Sequence, residues 1–221
     1  AEGDECDEER KGEAGAHVPT VAAPGGGGRG RRPRSLRPRL RAPIIGRVRR
    51  VISVIGAGTC TRREFNLAHE VGRRLAERGF VVVCGGLFGV MEAACMGAKE
   101  AGGLTLGFLP GTAREDANAY VDVAVPTGLR DARNYVIATC GEAVIAVGGK
   151  LGTLSEIALA LKRGIPVVGL GTWKLDPDRL FETRVPAATT AEEAVELAVR
   201  LADERERARA TGGEASGEGE S

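Results

Sequence analysis

The stretch Val144-Ile-Ala-Val-Gly-Gly-Lys-Leu-Gly-Thr-Leu-Ser-Glu156 decides the predicted fold class. Four apolar residues, typical of a buried strand, lead into a glycine-rich turn and then into a helix with Ile157 and Leu161 on its apolar face. A strand that passes directly into a helix leaves backbone N–H groups, and the positive end of the helix dipole, above the end of the strand. Because phosphate is a common ligand of such junctions, the stretch predicts a site for a phosphorylated molecule.

The alternation of apolar strand and helix continues through the middle of the chain. Strands are predicted at residues 51–55, 80–84, 104–109, 120–125, 142–147 and 165–170. Two helices are predicted to end at Gly79 and Gly102, and two more to span 127–140 and 153–163. A last helix is predicted to begin at the capping pattern Thr190-Ala-Glu-Glu193. Apolar strands that alternate with helices are typical of a parallel sheet buried on both faces. We therefore predict an α/β, Rossmann-like, doubly wound fold over residues 48–208, with a mostly parallel sheet and helices on both faces.

Three glycine-rich turns follow predicted strands, and in such sheets ligands bind beyond the carboxyl ends of the strands. A tight strand-to-helix turn favours glycine with or without a ligand. Three such turns on one edge of one sheet nevertheless indicate a ligand pocket. The predicted ligand-binding residues of these turns are Gly56, Gly58, Thr59, Gly85, Gly86, Gly89, Gly148, Gly149, Lys150, Gly152 and Thr153.

The spacing of the glycines excludes several common pockets. Thr61 stands where the dinucleotide fingerprint has its third glycine, and the strand ending at Cys84 lacks the acidic residue that binds a ribose hydroxyl. Gly149-Lys150 is followed by Leu151, so the chain has no ATP-binding P-loop. Without a serine nucleophile elbow or a nearby cysteine–histidine pair, acyl transfer has no support.

Arg133 and Glu156 are the two ionisable residues that the predicted elements bring to the glycine turns. An arginine can bind a phosphate with two parallel hydrogen bonds, and a nearby carboxylate can stabilise an oxocarbenium-like transition state or orient a water. The pair suits either binding a phosphorylated sugar or cleaving its glycosidic bond. Two structural alternatives are open: Thr153-x-x-Glu156 as a capping box, and Arg133 as a surface residue paired with Asp131 or Glu142.

The composition is that of a soluble globular domain. Of the 221 residues, 43% are hydrophobic and 28% charged, and the formal net charge is +1. This is not the balance of a nucleic-acid-binding protein, and no apolar run approaches the roughly 20 residues that span a bilayer. We expect a cytoplasmic protein with neither a membrane nor nucleic acid as its partner.

The five cysteines are scattered, odd in number and free of any C-x-x-C pair. This distribution argues against a disulfide framework and a structural zinc site, and for a reducing compartment. His17 and His69 are too few and too far apart for a metal site, so none is predicted. Cys84 and Cys95 are predicted to be small buried hydrophobic residues. Cys60 lies just before a helix, where a thiolate could be stabilised.

Both ends of the chain are predicted to be disordered tails. Residues 1–47 are rich in glycine, proline and arginine, and residues 209–221 are acidic and rich in glycine and serine. Neither contains enough apolar surface to offset the entropy lost on ordering. The basic run at 25–41 could contact RNA or an acidic partner, or direct the protein to an organelle, although the acidic start does not suit a targeting peptide.

The glycine turns resemble those of the "lonely guy" cytokinin-activating phosphoribohydrolases, a family formerly misread as lysine decarboxylases. Gly148-Gly-Lys-Leu-Gly-Thr-Leu-Ser-Glu156 is similar to their P-G-G-x-G-T-x-x-E signature, and the block from Gly85 to Pro110 to their earlier glycine block. The resemblance runs from about Val51 to Leu170. It implies that Arg133 and Glu156, if the protein is an enzyme, are the catalytic residues.

Several strings are closer to a sister group within this SLOG/LOG-like superfamily, the molybdenum cofactor carrier proteins and their bacterial relatives. Gly148 replaces the signature proline, Lys150 replaces a glycine, and Asn134 replaces a lysine beside the arginine. The carriers hold the molybdenum cofactor without turnover and assemble as homo-oligomers. The resemblance therefore implies a dimer or tetramer, adds Asn134 to the predicted ligand-binding residues, and makes molybdoenzymes candidate partners.

Two functions follow from this reasoning. The first is a binding or carrier protein for a phosphorylated, nucleotide-like ligand, with the molybdenum cofactor as candidate cargo and no cofactor required by the protein itself. The second is a phosphoribohydrolase that releases a base and ribose 5-phosphate from a nucleoside 5′-monophosphate, using Arg133 and Glu156. A third alternative is a nucleotide-binding regulator that acts through partners of its tails.

Overall fold

The computed structural model describes residues 49–176, 178 and 184–213. Seven strands form one sheet: β1 Val51–Gly56, β2 Val81–Cys84, β3 Thr105–Leu109, β4 Val123–Pro126, β5 Ala143–Val147, β6 Val167–Leu170 and β7 Ala187–Ala188. The helices are α1 Arg62–Glu77, α2 Val90–Glu100, α3 Arg133–Cys140, α4 Leu151–Lys162 and α5 Ala191–Gly213, and a short 3-10 turn, Arg130–Ala132, precedes α3.

The order of the strands across the sheet is β4-β3-β2-β1-β5-β6-β7, and all six pairings are parallel. The chain moves outward from β1 to β4, crosses back over the sheet and continues outward on the other side from β5 to β7. The strand order therefore reverses between β1 and β5, and ligands of doubly wound sheets bind beside such a reversal. The prediction of a doubly wound, parallel Rossmann-like sheet is confirmed.

Helices cover both faces of the sheet. Because successive residues of a strand point to opposite sides, each strand contributes side chains to both cores. Ile52 and Val54 of β1 pack on the side of α1, α2 and α5. Ile55 of β1 and Val144 and Ala146 of β5 pack on the side of α3 and α4. The result is a three-layer domain in which β2, β5 and β6 are buried at every residue and β1 at all but its two end residues.

Two predicted boundaries are off by a few residues: α4 starts at Leu151 rather than Thr153, and β4 runs over Val123–Pro126 rather than 120–125. Three other differences are larger. The helix predicted over 127–140 begins only at Arg133, because Gly128 has a φ of +65° and the 3-10 turn follows it. The two-residue strand β7 was not predicted, since two alanines give no strand pattern. Helix α5 continues to Gly213, five residues beyond the predicted end of the domain at 208, through a run rich in alanine, arginine and glutamate, which favour helix.

The predicted N-terminal tail, 1–47, and the last residues of the predicted C-terminal tail, 214–221, lie outside the described residues. None of the helices in the described ranges combines the length and apolar character that a bilayer crossing requires.

Candidate functional site

The three glycine turns lie side by side at the carboxyl edge of β2, β1 and β5. Gly56, at the end of β1, is the register partner of Val147, at the end of β5. The turn after β2 packs on the turn after β1: Val90 N donates to Ala57 O at 3.1 Å, and a side chain at Gly89 would come within 2.5 Å of Gly58 O. The predicted juxtaposition of the turns is therefore present in the structure, at the reversal of strand order.

The turn after β5 has a backbone that only glycine adopts without strain. Gly148 and Gly149 have φ values of +53° and +108°, and a side chain at Gly149 would lie 2.5 Å from Cβ of Thr153. Thr172 donates a hydrogen bond to Gly148 O, and Trp173 Nε1 donates to Lys150 O at 3.3 Å. The residues after β6 thus fix the turn that precedes α4.

Helix α4 begins at Leu151, with Lys150 as its N-cap residue, and no side chain of the described chain caps it. Its first N–H groups, including those of Gly152 and Thr153, therefore have no side-chain acceptor among the described residues, and such groups favour an anion. The alternative that Thr153 and Glu156 form a capping box is wrong. Both residues are already inside the helix, and Glu156 lies in its second turn.

Arg133, the first residue of α3, is buried, with 9% of its surface exposed. Its guanidinium lies over the backbone of Gly85, where a side chain on Gly85 would come within 2.9 Å of Arg133 Cζ. Within the described chain, Arg133 Nε is buried without a hydrogen-bond partner. Burial lowers the pKa of Arg133, opposed by the nearby negative charges of Glu156, Cys84 and Asp131.

The alternative that Arg133 is a surface residue paired with Glu142 is wrong. Arg133 is buried, and Glu142 lies 2.6 Å from Arg50 at the opposite edge of the sheet. Asp131, the other suggested partner, affects Arg133 only as a nearby charge. A buried guanidinium with an unused donor is costly unless an anion completes its hydrogen bonds.

Glu156 projects from α4 into the same region and is 7% exposed. Burial raises the pKa of its carboxyl to about 7, and the charge of Arg133 opposes that rise. A carboxyl group that titrates near neutral pH can both accept and donate a proton. Arg133 and Glu156 thus form a buried, electrostatically coupled pair beneath the glycine turns.

Asn134 lies between α3 and α4 rather than over the turns. Its Nδ2 donates to Ser155 Oγ at 3.4 Å, and Ser155 Oγ donates to Gly152 O at 2.6 Å. The side chain of Asn134 therefore links the start of α3 to the start of α4. Contact of Asn134 with a ligand, like that of Thr59 and the other turn residues, stays a prediction.

Cys84 and Cys95 are fully buried, as predicted, and lie against each other beneath the turn after β2. Their Sγ atoms are 3.4 Å apart, and Gly86 N donates to Cys84 Sγ at 3.3 Å. Burial and the hydrogen bond to Cys84 raise the pKa of Cys95, so this thiol stays protonated. Cys60, for which a stabilised thiolate was considered, is also buried.

Sequence reasoning missed two residues that shape the site. The buried Asn118 donates from Nδ2 to Gly86 O at 3.2 Å and to Leu87 O at 2.7 Å, which fixes the turn after β2; its surroundings in sequence contain no signal of this role. Glu64, in the first turn of α1, packs on Gly148. The pattern Thr61-x-x-Glu64 would have identified Glu64 as a capping residue, but not its contact with a different turn.

Two solved structures with the same architecture match this chain over nearly the whole of their own length. The molybdenum cofactor binding protein from the phototrophic bacterium Rippkaea orientalis matches with a TM-score of 0.65 and 38% identity, over 71% of this chain and 99% of that one. The molybdenum cofactor carrier protein from Chlamydomonas reinhardtii matches with a TM-score of 0.62 and 36% identity, over 69% of this chain and 98% of that one.

A relative that is named as an enzyme is less similar to this chain than the two solved structures are. The cytokinin riboside 5′-monophosphate phosphoribohydrolase of Mycobacterium tuberculosis is 31% identical over 132 residues, which are 55% of this chain and 71% of that protein. Both groups to which the glycine turns were compared are thus found among the similar proteins, and the predicted resemblance is confirmed.

The family model described as the SLOG cluster4 family matches residues 49–203, nearly the whole of the described α/β domain. This range contains all three glycine turns, Arg133 and Glu156. The chain therefore belongs to the SLOG cluster4 family.

Proposed function

We propose that the protein binds and carries a phosphorylated, nucleotide-like ligand at the carboxyl edge of β2, β1 and β5, with the molybdenum cofactor as the leading candidate cargo. The observation that supports this most directly is the buried guanidinium of Arg133, whose Nε has no partner within the described chain. An anion supplied by a ligand would complete its hydrogen bonds.

The phosphate would bind at the start of α4. The uncapped N–H groups of this helix favour negative charge, and Lys150 adds a cation at the same turn. Arg133 would contribute the charge-assisted hydrogen bonds that fix the ligand in one orientation. The remaining part of the ligand would lie along the turns after β1 and β2, where Gly85 leaves the space that Arg133 partly fills.

Similarity supports a carrier over an enzyme. The two solved relatives above are described by the molybdenum cofactor that they bind or carry. A molybdenum cofactor has a phosphate for the α4 turn and a fused ring system for the neighbouring turns. Transfer to a molybdoenzyme, and assembly as a dimer or tetramer, would be part of the same role.

The test is binding and transfer of the cofactor without oxygen. The protein is incubated with molybdenum cofactor, separated by size and then mixed with an apo molybdoenzyme whose activity reports delivery. We expect retention and delivery by the wild type, and at least a tenfold loss of affinity in Arg133→Met, since a charge-assisted hydrogen bond contributes about 1.5–3 kcal/mol.

Arg163→Met is the matched control, because Arg163 is exposed at the opposite end of α4. It should bind like the wild type. Absence of cofactor binding at every ratio, or equal binding by Arg133→Met and the wild type, would overturn the proposal.

A second function, release of a base and ribose 5-phosphate from a nucleoside 5′-monophosphate, is favoured by one specific observation. The Glu156 carboxyl has a pKa of about 7 and is electrostatically coupled to Arg133, so that a phosphate-binding arginine and a titratable carboxyl group are available for the hydrolysis of an N-glycosidic bond. Water would add to the anomeric carbon as the bond to the base breaks. Arg133 would hold the phosphate, and ionised Glu156 would stabilise the developing positive charge.

Base release from a panel of nucleoside monophosphates tests this alternative. If it is correct, the rate rises with pH through about 7, as Glu156 ionises, and Glu156→Gln removes at least 99% of it. If no more base is released than in buffer alone, the enzymatic alternative is wrong. Unchanged turnover in Glu156→Gln would eliminate only the role of Glu156.

A further inference from the structure

We propose that Glu64 is a specificity-determining residue that closes the turn after β1 to anions, so that the site accepts one phosphate, at α4, and discriminates against a second. This inference rests on the proposed function, because it concerns the same ligand site. It assigns opposite electrostatic roles to two glycine turns that look alike in the sequence.

The N-terminus of α1 is already occupied by the protein's own carboxylate. Glu64 Oε2 accepts hydrogen bonds from Thr61 N at 2.8 Å and from Thr61 Oγ1 at 3.0 Å, while Glu64 N donates to Thr61 Oγ1 at 3.2 Å. The carboxylate thus occupies the N–H and the hydroxyl of Thr61, and leaves the N–H groups of Arg62 and Arg63 as the remaining donors of this turn. An anion that reaches these donors from the side of β5 has to pass the negative charge of Glu64.

The other side of the Glu64 carboxylate faces the turn after β5. A side chain on Gly148 would lie 2.5 Å from Glu64 Cδ and 3.0 Å from Cγ, so the carboxylate fills the space that the glycine leaves. Glu64 thus lies between the first and third turns, at the boundary between β1 and β5. A capping glutamate needs only its own helix; this one also contacts a turn 84 positions later in the chain.

The start of α4 has the opposite character. No side chain of the described chain caps it, Lys150 is its N-cap residue, and Arg133 lies buried beside Glu156 nearby. A single phosphate at these N–H groups would have Lys150 and Arg133 as its cations. A second phosphate extending toward β1 would approach the carboxylate, and like charges at short range repel strongly where water is partly excluded.

Inorganic phosphate and pyrophosphate test the inference without any assumption about the rest of the ligand. Binding to the full chain is followed by ³¹P NMR titration. Pyrophosphate has the greater charge and would ordinarily bind a cationic site more tightly. We expect the wild type to bind phosphate at least as tightly as pyrophosphate, and Glu64→Gln to bind pyrophosphate about tenfold more tightly than the wild type, with phosphate changed less than about threefold.

Glu193→Gln is the matched control. Glu193 Oε2 accepts from Thr189 N at 2.8 Å and from Thr189 Oγ1 at 2.9 Å, so it caps α5 much as Glu64 caps α1, but it follows β7, three strands away from β1. Thermal unfolding of the two variants measures the loss of each cap, and Glu193→Gln should keep the wild-type ratio of the two affinities.

The inference is overturned if Glu64→Gln leaves the affinity for pyrophosphate unchanged, or if Glu193→Gln changes it equally. A wild type that strongly prefers pyrophosphate would also overturn it, while leaving the anion site intact. If neither anion binds any variant, the proposed phosphate site itself fails, and the role of Glu64 fails with it.

Discussion

Arg50 and Arg133 lie at opposite ends of the strands of the same sheet, and they differ in their ion-pair partners and in their burial. Arg50, just before β1, lies 2.6 Å from both Glu142 and Asp203 and stacks over Phe80 at 5.1 Å, and these acidic partners raise its pKa. Arg133, at the carboxyl edge, is more deeply buried, and its pKa is lowered by burial.

The difference lies in the counter-charges that the fold supplies. Arg50 Nη2 has no well-aligned hydrogen bond but lies 2.6 Å from Glu142 Oε2, whereas Arg133 Nε has neither a hydrogen bond nor a carboxylate in contact among the described residues. A paired arginine at the amino edge joins β1 to α5 through Asp203. An arginine with an unused buried donor at the ligand edge is a stability cost that a bound anion would remove. The amino edge is therefore stabilised by internal ion pairs, and the carboxyl edge is where we propose that the ligand binds.

The largest expected effect is on binding at the carboxyl edge. Arg133→Met should weaken phosphate-ligand binding by roughly 100-fold. The free energy of unfolding should be unchanged or slightly increased, because a buried guanidinium with an unused Nε donor is replaced by an apolar chain and Glu156, with a pKa of about 7, can become neutral by binding a proton. Calorimetric titration and denaturant unfolding measure the two quantities. A large loss of stability with intact binding would reverse the comparison.

The second expected effect concerns the pH dependence of stability. Glu156 has a folded-state pKa of about 7 against an ordinary value of 4.5, so the folded protein binds its proton more tightly than the unfolded chain. This contribution is fully present below pH 4.5 and is lost as the pH rises through 7, at a cost of about 3 kcal/mol. Urea unfolding from pH 5 to 8 should show the decline in the wild type and a flatter profile in Glu156→Gln.

Arg50→Met should have a smaller effect, and only on stability. Its side chain is 34% exposed, so solvent screens its ion pairs, and we expect a loss of about 1–2 kcal/mol from the network with Glu142 and Asp203. Denaturant unfolding measures the loss, and ligand affinity should stay within about twofold of the wild type. Loss of affinity comparable to that of Arg133→Met would contradict the division between the two edges.

The smallest expected effect is that of Ser155→Ala, which removes the link from Asn134 to the start of α4. We expect a loss of less than about 1 kcal/mol in the free energy of unfolding and little change in ligand affinity. A loss of affinity without loss of stability would instead favour direct contact of this region with the ligand, as predicted for Asn134 from the sequence.

The sequence predicted the elements that depend on local pattern. Val144–Val147 is apolar throughout, and Val51–Ile55 is apolar except for the buried Ser53, whose Oγ donates to Ile137 O at 2.7 Å. Both faces of these strands are covered, and their apolar pattern indicated a parallel sheet. The sequence also predicted that the turns after these two strands lie side by side, because the carboxyl ends of parallel strands meet at the same edge of a sheet. The start of α4 was predicted two residues too late, because the pattern Thr153-x-x-Glu156 is typical of a cap wherever a helix begins.

What the sequence could not provide are contacts between distant elements. Nothing near Asn118 indicates that it fixes the turn after β2, and nothing near Glu64 indicates that its carboxylate reaches Gly148. The burial of Arg133 is likewise a property of the packed layers, since an arginine at the start of a helix is usually exposed. These side chains decide the charge of the site, and only the tertiary structure brings them to it.

Because the Arg133 guanidinium lies against Gly85, the residue types that positions 85 and 133 can accept depend on each other, although the two positions are 48 residues apart in the chain. A larger residue at 85 would expel the arginine from its place, whereas a shorter residue at 133 would leave a void that position 85 could then fill. Relatives that have abandoned this ligand are therefore expected to have changed both positions together, and a bulky residue 85 in any homologue would mark a protein that has lost the original use of the pocket.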